Sequence, residues 1–359
     1  MLTSQQIQAI SIAERTGASF SLLGCAFIVT TYAASPKFRK PVKRLIFYAS
    51  LGNIFSAVSS LISTEGIASG TDSPLCQMQA FFVQYWMPSD PLWALCMAVN
   101  IYLAFYHHYS GKDLKRLEKW YFVVCYGLPL IPAVVLLCIK TEERGRIYGA
   151  AVIWCSISNE WEFLRLVCFY GPICFIALSA LLLYANMGYV ILKCKTALAQ
   201  NAGVQDRVIQ NCHTQSTITD PSSAQEIRSL SYSTSTASPA GKRQAKFDQS
   251  LWIYLRYSLL FFLAAVVTWA PSCVNRIYSL ARPQHPSYGL NLTGALVLSL
   301  QGFWNSVIYT STAAPIFRDL WARKFACRLT SRRATWHDLE AHDDGFQTDN
   351  MELRGQYSP

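Results

Sequence analysis

Charge is missing from long stretches of this chain. No Asp, Glu, Lys or Arg occurs in 16–36, 45–64, 120–139, 166–192, 257–275 or 283–317, and the stretch 73–106 has one interruption, Asp90. Each run is at or near the roughly 20 apolar residues that a helix needs to cross the hydrocarbon of a bilayer. Soluble buried helices are shorter, and seven such runs would leave no amphipathic partners to cover them. The pattern predicts an all-α membrane protein, a seven-helix bundle with spans at 16–36, 45–66, 75–106, 119–140, 162–193, 250–276 and 288–313. The first run lacks the basic start and small-residue cleavage site of a secretory signal and reads as a retained helix.

Composition agrees with this solvent. Of 359 residues 52% are hydrophobic, 13% aromatic and only 14% charged. The net charge of +10 raises the question of nucleic acid, but that reading needs a basic face on a soluble domain, and here the cations are cut into blocks by neutral runs. The blocks set the orientation instead. Lys and Arg number five in 35–44, four in 107–119, eight in 193–256 and seven from 314 on, together 24 of 31. Cytoplasmic loops carry such an excess, so the N-terminus is expected outside and the C-terminus inside. The densest run, Ser35 to Arg44 ("SPKFRKPVKR"), becomes the first cytoplasmic loop, facing anionic lipid and open to an acidic partner.

The domain plan follows: an extracellular 1–15, the transmembrane domain 16–313, an amphipathic juxtamembrane helix at 314–330 and a disordered tail at 331–359. In that helix Phe317, Trp321 and Phe325 recur at i, i+4 and i+8, with Arg318, Arg323, Lys324 and Arg328 on other faces, so it is expected along the inner leaflet. The third cytoplasmic loop, about 196–248, includes thirteen Ser or Thr among residues 214–238 and cannot bury enough surface to fold alone. It reads either as a phosphorylated regulatory segment or as a linker. Cys194 and Cys327, at the inner face, are lipidation candidates. Cys76, opening the third span, and Cys155, in the loop after the fourth, both fall outside and are expected to form a disulfide over the mouth of the bundle.

No Walker loop, CxxC, HExxH or GxSxG is present, and adjacent His107 and His108 point to different faces of a helix. Nothing argues for an enzyme, a metal or a cofactor. Polar groups inside the membrane carry more information, because they are expensive there and face the interior. Asp90 lies between Pro88 and Pro91, where the span must be irregular; a ligand contact, an ion site and a hydrogen-bonded structural acid are all open. Asn53, Gln84, Asn100, Asn186, Gln301 and Asn305 suggest an interhelical hydrogen-bond network. Glu65, Arg165 and Arg276 lie near the outer ends, where the arginines either meet an anionic ligand or reach out to the interface. Pro271 with Trp269 suggests a hinge beside a bulky aromatic. The candidate pocket is therefore Asp90, Gln84, Glu65, Arg165, Trp269, Arg276 and Gln301.

"GCAFIVTTYAASPKFRKPVKRLIFYASLGN" over the first two spans, "LCQMQAFFVQYWMPSDPLW" in the third, "FYGP" (Phe169 to Pro172) in the fifth and "TWAPSCVNRIYSL" in the sixth closely resemble the fungal relatives of the slime-mould cyclic-AMP receptors, a class of G-protein-coupled receptor. The resemblance covers all seven spans and fails in the third cytoplasmic loop and the tail. It implies a plasma-membrane receptor that binds a small extracellular ligand and acts on a heterotrimeric G protein, feeding cyclic-AMP signalling. It also implies a Cys76–Cys155 pair, activation elements at Trp269, Pro271, Asn305 and Tyr309, and kinases or arrestin-like regulators acting on the third loop. G-protein contacts are expected from Arg39, Lys40, Tyr102, Leu103, His107 and Arg256. The third span ends "NIYLAFYHHY" without Asp-Arg-Tyr and "NSVIY" lacks the proline of rhodopsin-like receptors, so their ionic-lock details do not carry over. A transporter or channel is the alternative from another class; no internal repeat points to one.

Overall fold

The computed structural model describes residues 2–39, 41–190, 239–282, 285–314 and 318. Lys40, Cys194, Cys327, most of the third loop and the residues Phe317, Trp321 and Phe325 fall outside them. Met1–Tyr309 forms one compact unit, and a second begins at Thr310.

Helix α1 (Ser4–Ala34) starts well before the first neutral run, because Thr3 and Gln6 form a capping box: Gln6 N donates to Thr3 Oγ1 and Thr3 N to Gln6 Oε1. Its buried residues Ile10, Glu14, Gly17, Ser21, Gly24 and Ile28 alternate at spacings of four and three, the seam of a helix packed lengthwise. Small residues on that seam let another backbone approach. A Cβ at Gly24 would lie 2.9 Å from Gly302 O, and Gly302 N donates to Ser21 Oγ at 2.9 Å.

Helix α2 (Pro41–Ile62) packs against α1 and ends at Ser63, whose φ of 49° turns the chain into the short α3 (Glu65–Ala68). Lys43 and Arg44, in the basic run, do not both stay on the surface as expected. Lys43 is buried, with its ammonium 4.9 Å from the Phe38 ring and 5.6 Å from that of Tyr309, and Arg44 pairs with Glu118 at 2.5 Å. The cations are partnered within the bundle instead of being left to lipid.

Five helices, Ser4–Ala34, Val42–Ile62, Gly111–Cys138, Asn159–Val190 and Tyr254–Ala281, are long and apolar enough to cross a bilayer. The other two expected spans are helical but broken. Residues 75–106 divide into α4 (Pro74–Trp86) and α5 (Ser89–Tyr106); Pro88 and Pro91 remove donors from successive turns, and Ser89 Oγ donates to Trp86 O across the gap. Residues 288–313 divide at Leu300, whose N–H reaches back only three residues to Val297 O.

The fourth span begins at Gly111, earlier than its neutral run. Ser110 and Asp113 cap α6 (Gly111–Phe122). A π-helical turn, Val123–Gly127, joins it to α7 (Leu128–Cys138), just before Pro129 and Pro132, which interrupt the ladder. Two hairpins follow, β1 (Lys140–Thr141) with β2 (Gly145–Arg146), and β3 (Tyr148–Ala150) with β4 (Cys155–Ile157). The short α8 (Glu162–Arg165) and a second π-helical turn, Leu166–Tyr170, lead into α9 (171–190). Pro172 opens α9 without a donor for Cys168 O, and Gln84 Nε2 of α4 supplies one at 2.9 Å.

Helix α10 (Pro239–Ala281) continues through Pro271. It takes in residues 239–248, expected to belong to a loop, because Lys, Arg, Gln and Ala there are good helix formers. Helices α11 (Tyr288–Ser299) and α12 (301–314) complete the described residues.

Candidate functional site

Cys76 and Cys155 are disulfide-bonded, with Cα atoms 5.3 Å apart. The bond fixes β4 to the start of α4, and Gln79, one turn on, reinforces it. Gln79 Nε2 donates to Ser59 O and Ser63 O at 3.1 and 2.9 Å, while its Oε1 accepts from Cys155 N at 3.0 Å. Tyr148 Oη donates to Ala133 O at 2.9 Å; burial pushes its phenol well above the ordinary value, so it stays a donor. The β3–β4 hairpin is thus tied to α2, α4 and α7 at once.

Beneath the hairpin is a partly open cavity of about 60 Å3, with Trp154, Arg165, Tyr170, Asn275, Arg276 and Asn291 among its lining residues. A second, smaller space of about 20 Å3 shares Trp154, Arg165 and Tyr170 and runs inward to Val83, Met87, Phe169 and Leu298. Both arginines turn into the protein instead of reaching out to the interface: Arg165 is 6% exposed and Arg276 7%.

Their partners differ. Arg165 donates from Nε to Ile157 O at 2.8 Å and from Nη2 to Ile157 O and, at 3.0 Å, to Asn159 Oδ1. It braces β4 against α8. Arg276 Nη2 lies 2.5 Å from Glu162 Oε1, whose side chain is 43% exposed at the rim. Its Nε is buried and has no hydrogen-bond partner among the described residues.

The other pocket candidates fall elsewhere. Glu65 pairs with Arg15 at 2.9 Å on an exposed edge, away from the cavity, because α3 turns it back toward α1. Gln84 lines the inner space but is committed to Cys168 O. Trp269 lies in the core with Met87, Phe169 and Leu298, 5.7 Å from the Phe169 ring. Asp90 is central: its Oδ1 accepts from Asn53 Nδ2 at 2.8 Å and from Asn305 Nδ2 at 2.7 Å. Gln301, buried, has both side-chain polar atoms without partners among the described residues. Neither lines the cavity.

Asn100 and Asn186 accept from Tyr121 and Tyr106, at 2.8 and 3.3 Å. Tyr309 meets Thr31 Oγ1 at 3.2 Å. Arg39, His107 and Arg256 are exposed, and Tyr102 and Leu103 half-buried.

The family described as slime mold cyclic AMP receptor matches residues 3–207, more than half of the chain. The chain belongs to the slime mold cyclic AMP receptor family. Relatives in this and kindred groups include cyclic AMP receptor-like protein A of Dictyostelium discoideum, 20% identical over 86% of this chain and 65% of its own length. Cyclic AMP receptor 1 of the same organism is 27% identical over 50% of this chain and 44% of its own. G-protein coupled receptor 1 of Arabidopsis thaliana is 22% identical over 84% and 78%. The match thus spans two-thirds or less of the first two relatives. As a family member with five apolar helices of spanning length, the chain is a helical membrane protein.

Three residues in this family member carry geometry that the neutral runs gave no reason to select. Glu14 is buried in α1 with Ser63 Oγ donating to its Oε2 at 2.5 Å; its place on the four-three seam is the signal that would have found it. Glu162 is the counter-ion of Arg276, and Gln79 lies one turn after Cys76.

Proposed function

We propose that this protein is a plasma-membrane G-protein-coupled receptor whose bundle has seven spans, the broken α4–α5 and α11–α12 segments being the third and seventh. The disulfide end faces outside and the basic loops face the cytoplasm. The narrower kinship with fungal members rests on the sequence motifs alone.

The observation that carries the reading is the cavity under the disulfide-anchored hairpin, in a chain of receptor family. It is bounded by β4, the α8 turn, α10 and α11, so an occupant would contact several helices and shift their relative populations. The polar Asp90 cluster lies deeper, where the two broken spans meet. Breaks there give those helices room to rearrange around a fixed hydrogen-bond centre. The exposed Arg39, His107 and Arg256, with Lys40, Tyr102 and Leu103, are the proposed G-protein contacts.

Purified receptor reconstituted with heterotrimeric G protein should speed nucleotide exchange on the Gα subunit, either basally or with ligand. Absence of exchange with every Gα of the source cell overturns the reading.

A further inference from the structure

Arg276 has an unusual position. It is buried, its acid partner stands at the rim, and its Nε is left without a hydrogen bond among the described residues. A buried guanidinium with spare donors is stable only if an acceptor completes it. Arg165, the other cation of the cavity, has committed its Nε and Nη2 to Ile157 O and Asn159 Oδ1, and it adds positive potential beside Arg276. The adjoining space, which shares Trp154, Arg165 and Tyr170, differs in character. Val83, Met87, Phe169 and Leu298 offer apolar surface, Trp154 lies at the junction, and Gln84 is occupied by Cys168 O.

We infer that the cavity takes a small organic anion with an apolar, preferably aromatic, body: its carboxylate or sulfonate seats on Arg276, and its hydrocarbon part lies toward Met87 and Phe169. The inference rests on reading this cavity as the receptor's ligand site. The anion replaces Glu162 as counter-ion, so binding creates no uncompensated buried charge, and Glu162 is free to swing into water. A nucleotide fits this division less well: its ribose and base could reach Ser272, Asn275, Ser279 and Asn291 beside Arg276, but it has no hydrocarbon to cover the apolar wall of Val83, Met87, Phe169 and Leu298.

The test uses the full-length purified protein in phosphatidylcholine nanodiscs without G protein, with naphthoate as probe and affinity read from the ligand-dependent rise in unfolding temperature. Naphthoate should bind at least tenfold tighter than neutral naphthylmethanol, acetate or cyclic AMP. Arg276→Gln should weaken naphthoate at least tenfold and leave naphthylmethanol unchanged. Glu162→Gln removes the competing carboxylate and should tighten naphthoate severalfold, a gain that a merely structural ion pair would not give. The inference is overturned if naphthoate fails to bind, if naphthylmethanol or cyclic AMP binds as tightly, or if Glu162→Gln leaves the affinity unchanged. None of these outcomes bears on nucleotide exchange, and a failed exchange assay leaves the binding result standing.

Discussion

Asn305 Nδ2 donates to Asp90 Oδ1 at 2.7 Å, and so joins the segment after one helix break to the segment after another. Asn53 of α2 donates to the same oxygen. Two amides sharing one carboxylate oxygen make the centre sensitive to loss of the acid. Asp90→Leu orphans both donors and should destabilise the protein by about 1–3 kcal/mol for each. Asp90→Asn keeps one acceptor oxygen and should lose less. Unfolding temperature in nanodiscs separates the two, and a Leu variant as stable as wild type would remove this cluster from the fold's supports.

The α1 seam should tolerate bulk unequally. At Gly17 an added Cβ meets first Ser299 Oγ, a side-chain atom that can rotate, with the backbone Leu296 O at 3.1 Å, whereas at Gly24 the backbone Gly302 O lies closer, at 2.9 Å, beside Ser306 Oγ at 2.8 Å. Gly24→Ala should therefore cost about 1–3 kcal/mol, and Gly17→Ala less. Equal losses would mean that backbone approach does not govern this contact.

Much of the fold was legible because lipid imposes a coarse rule: a charge-free run of spanning length is a helix. The rule says little about where helices start, since capping residues such as Thr3 and Ser110 extend α1 and α6 beyond the neutral runs. It also cannot see that Glu14 is tolerated inside, because that depends on Ser63 arriving from another helix. Prolines announced the break between α4 and α5, but nothing comparable marks Leu300. At the candidate site both cations were visible as charges near the outer ends. Their difference was not, because it arises from tertiary partners: Ile157 O and Asn159 for Arg165, Glu162 for Arg276.

The disulfide should matter most to the hairpin that roofs the cavity. It closes a loop of sequence separation 79, for which restriction of the unfolded chain gives at most about 4.5 kcal/mol. Helices retained in the membrane after unfolding will reduce that figure. The Cys76→Ser/Cys155→Ser double variant should lower the unfolding temperature and speed amide exchange first at 148–157, since only the hydrogen bonds from Gln79 and Arg165 then tie β4 to its helical neighbours. Uniform acceleration across the bundle would contradict this local role.

Gln84 offers a sharper test, because its partner is set by a proline. Pro172 has no N–H for Cys168 O, and Gln84 Nε2 fills the place at 2.9 Å. Gln84→Leu should cost about 1–2 kcal/mol by leaving that carbonyl unpaired. Pro172→Ala restores a backbone donor four residues on, so in that background the same Gln84→Leu change should cost less. A double-mutant cycle ought to show coupling of at least about 0.5 kcal/mol. Strictly additive losses would mean that the carbonyl finds another donor and that Gln84 contributes by packing alone.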